Sequence, residues 1–118
     1  MDINDIATRH YEWVEQMGWH NKTVLEALAL IASEVGEAAA ESGDNDAMLA
    51  ALARITESIG RAANQCRKGE VGENFGTELA DIILRTLDLA KWQQIDIDTV
   101  IAAKMSKNLQ NGTRGRKI

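Results

Sequence analysis

A chain of 118 residues can bury one hydrophobic core but has no length for a second, so a single domain spanning residues 1–118 is expected. The lack of proline, the single Phe and Tyr, and an Ala/Leu/Ile-rich 45% hydrophobic content weigh against a sheet and predict an all-α protein of about five helices. Of the thirteen basic residues, five lie in residues 104–118 with no acid among them, leaving 8 basic against 18 acidic residues ahead of that tail. The acidic body excludes broad, stable nucleic-acid binding, which needs a basic face, while the basic tail 104–118 either reaches phosphates or is simply solvated.

A lone cysteine, Cys66, excludes an internal disulfide and falls on an apolar helical position, as a buried structural thiol in a reducing compartment would. No apolar run approaches the ~18 residues of a membrane span, and the acidic, mixed start MDINDIATRHYEW is unlike a signal peptide. A cytoplasmic protein without a membrane partner is expected.

In chain order, Ile3, Ile6, His10, Trp13, Val14 and Met17 recur at helical spacing, with Gly18 as a stop. Residues 19–22 connect to Thr23 and Glu26, whose S/T-x-x-E spacing is that of a capping box and starts a second helix near Val24. That helix runs to the Ser42-Gly43-Asp44 break, with Glu34, Glu37 and Glu41 flanking its apolar face. A third, from Asp46 to Arg67, reads as structural, with Arg54, Glu57, Arg61 and Gln65 opposite its apolar side. After a loop over residues 68–74, FGTELADIILRTLDLAKW (Phe75 to Trp92) forms a fourth helix. Its apolar residues cover roughly two-thirds of the circumference, which predicts burial on most sides. The remaining stripe holds Glu78, Asp81, Arg85 and Asp88, and Arg85 is expected to hold a carboxylate in place. Asp96 or Asp98 caps a last helix that ends at Asn111-Gly112.

Glu34 with Glu37, and Glu78 with Asp81, form two i, i+3 pairs on two helices, so each pair can aim its oxygens at one point. If the two helices pack antiparallel, four carboxylates meet, and their repulsion at low dielectric calls for a divalent cation. Oxygen ligands without Cys or suitably spaced His select Mg²⁺ or Mn²⁺. A di-iron bundle needs Glu-x-x-His, which neither His10 nor His20 completes. Acids three apart on helices are common and usually solvated, so spacing alone favours a solvated face over the metal site. With a phosphate ligand, the cation and carboxylates would support in-line attack by water; no P-loop, nucleophile elbow or paired Cys offers another route.

The blocks ALIASEVGEA, FGTELADIILRTLDL and KMSKN together resemble the MazG-like all-alpha nucleoside triphosphate pyrophosphohydrolases, in their small phage-type or integron-type form. The resemblance runs from about Trp19 to Ile118 and implies a four-helix core assembled as a homo-oligomer, dimer or tetramer, with part of the nucleotide pocket supplied by a neighbouring protomer. It implies that Glu34, Glu37, Glu78 and Asp81 ligate Mg²⁺ for cleavage of a (d)NTP to monophosphate and pyrophosphate, in a house-cleaning role. By the same resemblance Lys104 and Asn108 contact the triphosphate, Arg114 and Arg116 belong to a basic tail that does so, and Trp19 and His20 line the base pocket. A hydrophobic staple explains Trp19 nearly as well, and a solvated lysine explains Lys104. The chain departs from the pattern at Ser33, at Asn111-Gly112 and in the helix-long stretch between the two pairs, so base specificity does not carry over. The alternative readings are a non-catalytic helical module for nucleotide or protein binding, and a plain oligomeric bundle with fortuitous acids.

Overall fold

The computed structural model of the chain describes residues 2–20, 23–69 and 73–111, with only the backbone at 73 and 111. These residues form α1 (Ile3–Met17), α2 (Val24–Ser42), α3 (Asp46–Arg67), α4 (Glu73–Trp92) and α5 (Ile97–Asn111), and no strand occurs among them. The fold is all-α, as composition predicts. None of the helices is long and apolar enough to cross a membrane.

Helix boundaries follow local chemistry. Side-chain oxygens of Asp2, Thr23, Asn45 and Asp96 each accept a hydrogen bond from the amide three residues on, at 2.8, 3.1, 3.0 and 3.3 Å, which satisfies one orphan donor per helix start. Asp96 rather than Asp98 is thus the cap of α5. At the end of α1, Gly18 takes the left-handed conformation (φ 70°), which a β-carbon would disfavour, and its amide and that of Trp19 return to the carbonyls of Glu15 and Val14. α4 begins at Glu73, two residues ahead of the predicted Phe75. Without a Ser, Thr or Asp just ahead of it, this start has no side-chain signal that fixes the first turn, and helix ends vary by a residue or two.

The helices gather into two compact units, α2 with α3 and α4, and α1 with α5. In the first, α2 and α4 both pack along α3 and make no comparable interface with each other. The core is Leu28 of α2, Leu52, Ile55, Ile59 and Ala62 of α3, and Ile82 of α4. Around it Ala32, Val35, Ala39, Ala63, Phe75, Leu79 and Leu89 are partly buried. α3 therefore holds the centre that the sequence pattern assigned to α4. α4 is not buried on most sides: Ile83, Leu84 and Leu87 face solvent, Leu84 with 62% of its surface exposed. One neighbour, α3, covers only one side of an apolar arc that wide. Cys66 is a half-buried free thiol.

In the other unit, Trp13 and Val14 of α1 are buried, and Trp19 packs edge-to-face on Trp13 with ring centroids 5.5 Å apart.

Two measurements test this packing. Ile55, 3% exposed, sits where three helices meet, and Ile55→Ala should lower unfolding free energy by roughly 2–5 kcal/mol in urea titration, because the rigid surround leaves a cavity. Asp96 accepts hydrogen bonds from the Thr99 hydroxyl and amide, which hold its pKa below the usual carboxylate value. A lowered folded pKa stabilises above the unfolded value and the contribution is lost as pH falls through the folded one. The gap in Tm between wild type and Asp96→Ala should thus be constant above about pH 5 and close below about pH 4. A gap that stays unchanged as the pH falls well below about 4 would overturn this role for Asp96.

Candidate functional site

The interface of α3 with α4 carries a continuous polar seam. Arg61 Nε donates to Glu78 Oε2 at 3.0 Å, and Arg85 Nε donates to Ser58 Oγ at 3.1 Å. Residue numbers rise along α3 as they fall along α4, so the two helices run antiparallel with Arg61 beside Glu78 and Ser58 beside Arg85. Ser58 is wholly buried (0% exposed). Its hydroxyl also accepts from a terminal nitrogen of Arg61 at 3.0 Å and donates to the Arg54 carbonyl at 3.4 Å, so all its hydrogen-bonding capacity is used. Two guanidinium groups from different helices thus converge on one neutral oxygen, and only one of them meets a carboxylate.

The predicted acids divide between two faces. Glu78, with 16% of its side chain exposed, and the half-buried Asp81 lie on this seam. Glu34 and Glu37 are exposed. On a helical wheel they point opposite to Leu28, Ala32, Val35 and Ala39, the side of α2 that packs on the core. Among the described residues no three His, Cys, Asp or Glu side chains come together to hold a metal ion. The expected meeting of four carboxylates is therefore not made within one chain, because α2 turns its pair away from α3. Arg85 is the other departure: the expected charge-assisted pair to a carboxylate is a hydrogen bond to Ser58, and Arg61 is the arginine that holds Glu78.

The remaining predicted residues belong to the other unit. Trp19 packs on Trp13, and the exposed His20 stacks on Tyr11 at 4.3 Å between ring centroids while its Nδ1 meets Glu15 Oε2. Both thus engage α1, and Trp19 acts as the apolar contact that follows a helix-ending glycine. Lys104 is exposed on α5, whereas Asn108 is 5% exposed and lines a cavity of ≈ 300 Å³ between α1 and α5 with His10, Trp13 and Met105. Arg114 and Arg116 lie outside the described residues.

Beyond the Arg61–Glu78 pair the seam opens into a groove of ≈ 520 Å³. It is lined by Ala47, Ala50, Ala51 and Arg54 of α3 and by Arg85, Asp88, Leu89 and Trp92 of α4. The small side chains keep the helices from filling the space between them. Sequence reading missed the α3 half of this site, Arg54, Ser58 and Arg61. The available signal is their spacing, since Ala47, Ala51, Arg54, Ser58 and Arg61 recur every three or four residues as a small-and-polar stripe beside the apolar one.

Comparison with protein-family models, with curated proteins and with solved structures gives no match. The seam itself makes a measurable claim. Ser58→Ala deprives both guanidinium groups of a buried acceptor and should cost roughly 1–3 kcal/mol. The partly exposed Arg61–Glu78 pair should couple by no more than about 1 kcal/mol in a double-mutant cycle, weakening with salt. A Ser58→Ala protein as stable as wild type in urea would remove Ser58 from the interface energetics.

Proposed function

We propose that the chain is a Mg²⁺-dependent nucleoside triphosphate pyrophosphohydrolase that cleaves a (d)NTP to (d)NMP and pyrophosphate. The observation carrying this reading is the half-buried Glu78/Asp81 pair on α4, held on one side by Arg61 and bordered by Arg85. Mg²⁺ keeps several waters and is commonly held by one or two carboxylates together with substrate phosphates. Two acids with guanidinium groups next to them fit that mode without a complete cage from one chain. Glu34 and Glu37 complete the proposed ligand set. They point outward on α2, so in this reading they come to the other pair from a second copy of the chain.

Bound at these carboxylates, Mg²⁺ would supply charge neutralisation on the phosphate oxygens. Arg61 fixes Glu78 Oε2, and a carboxylate of the set takes the proton of the attacking water. The neighbouring guanidinium groups offset charge on the leaving pyrophosphate. The exposed apolar residues Leu30 and Ile31 of α2 and Ile83, Leu84 and Leu87 of α4 are the surface a second copy would cover. That supports a homo-oligomer, dimer or tetramer, with a four-helix core; a cytoplasmic house-cleaning role belongs to the same reading. The Arg61–Glu78 ion pair favours one second reading, a nucleotide-binding module that holds no metal, because one of the Glu78 oxygens is already committed.

Pyrophosphate release from a panel of (d)NTPs decides between them. Wild type should release it only with Mg²⁺ or Mn²⁺, and Glu78→Ala and Asp81→Ala should lose roughly a hundredfold or more in kcat/KM. No release by wild type on any (d)NTP, or full activity in both variants, ends the enzyme reading. Mg²⁺ should also raise Tm in wild type and not in Glu37→Ala.

A further inference from the structure

We propose that the groove beside Arg54 and Arg85 is a nucleoside phosphate site, in which the two guanidinium groups take the phosphate and the Trp92 indole takes the base. The inference rests on the nucleotide reading above for the class of its ligand. The groove itself follows from packing and charge, and binding there requires neither metal nor catalysis.

Three features of the groove select this ligand. First, there is room: Ala47, Ala50 and Ala51 of α3 and Leu89 of α4 border an open groove of ≈ 520 Å³, within the range of small-molecule sites. Second, its positive charge is not neutralised locally. No carboxylate among the described residues forms an ion pair with Arg54 or Arg85, although Asp88 lines the same groove. Arg85 is anchored through Nε on the buried Ser58, so its position is fixed while its terminal nitrogens are left for an anion in the fork geometry that suits phosphate. Third, Trp92 is 53% exposed at the end of α4, a large flat ring surface open to a ligand.

Asp88 narrows the choice. It would repel a bare anion, and it can accept a hydrogen bond from a sugar hydroxyl or an exocyclic amine. A ligand that satisfies all four side chains carries a phosphate, a hydrogen-bond donor and an aromatic ring. The order along α4, Glu78, Asp81, Arg85, Asp88, Trp92, puts the phosphate end of the groove one helical turn from Asp81 and the ring end furthest from it. A nucleotide lying this way presents its phosphates to the carboxylate pair.

The test is calorimetric titration of the full chain with ATP, AMP and inorganic phosphate in excess EDTA, which separates this proposal from the pyrophosphate assay. Wild type should bind ATP and AMP, and inorganic phosphate more weakly. Arg54→Met, Arg85→Met and Trp92→Leu should each weaken AMP binding by about tenfold or more. Lys91→Met, on the same helix outside the groove, should not change it. Arg54 and Trp92 are exposed, so their variants keep the test decisive should Arg85→Met fail to fold. The proposal is overturned if wild type binds neither nucleotide, if the Arg54 and Trp92 variants bind AMP as wild type does, or if inorganic phosphate binds as tightly as AMP. Binding without pyrophosphate release would leave this site standing and remove the enzyme reading instead.

Discussion

The hydroxyl of Ser58 is the contact on which the α3–α4 arrangement depends. A serine oxygen has one proton and two lone pairs, and here the Arg54 carbonyl, Arg61 and Arg85 take all three. Bringing two arginines to a helix interface is costly without such an acceptor, since each guanidinium loses water as the helices close. Because the acceptor sits on one helix and Arg85 on the other, the hydrogen bond also fixes the register of α4 on α3. That register sets Arg61 against Glu78 and leaves the alanines of α3 opposite Trp92.

The seam has a simple electrostatic pattern. At one end, Arg61 and Glu78 neutralise each other. In the middle, Arg85 is held by a neutral partner and keeps its charge. At the other end, Arg54 and Asp88 border open space. A helix pair held for stability alone gains little from carrying unpaired guanidinium groups along its groove, while a site for a phosphorylated ligand uses them. The carboxylate pair and the guanidinium groups are contiguous on one face, which joins the proposed cation site and the proposed nucleotide site in one surface.

A second constraint acts on the outside of the unit formed by α2, α3 and α4. α4 has apolar residues over more of its circumference than α3 can cover, and α2 shows Leu25, Leu30 and Ile31 to solvent. Exposed apolar side chains clustered on a helix face are of the kind that another protein can cover. The same outer face of α2 carries Glu34 and Glu37, so whatever covers it also decides what those acids meet. The separation of Glu34 and Glu37 from Glu78 and Asp81 and the uncovered apolar arc of α4 are two consequences of one arrangement, in which α3 receives both neighbours.

Much of this molecule is legible in its residues. The composition yields an all-α fold, and 3.6-residue periodicity with Thr23, Gly18 and Gly43 yields helix limits, because caps and helical faces are short-range effects. The caps Asp2 and Asn45 are of the same local kind, and sequence reading missed them. The stripe Glu78, Asp81, Arg85, Asp88 is likewise visible, since residues three and four apart share a face whatever the helix packs against. Which helix becomes the centre is not written in any one segment: α4 has the wider apolar arc, yet α3 receives neighbours on two sides. The partner of Arg85 is equally beyond local pattern, because Ser58 lies 27 residues away and is found only once two helices have chosen a register. Local sequence determined the helices, their caps and their polar stripes, through interactions within a turn or two. The tertiary structure decided which stripes face each other, because that choice depends on long-range burial and on satisfying buried donors that no single helix can satisfy alone.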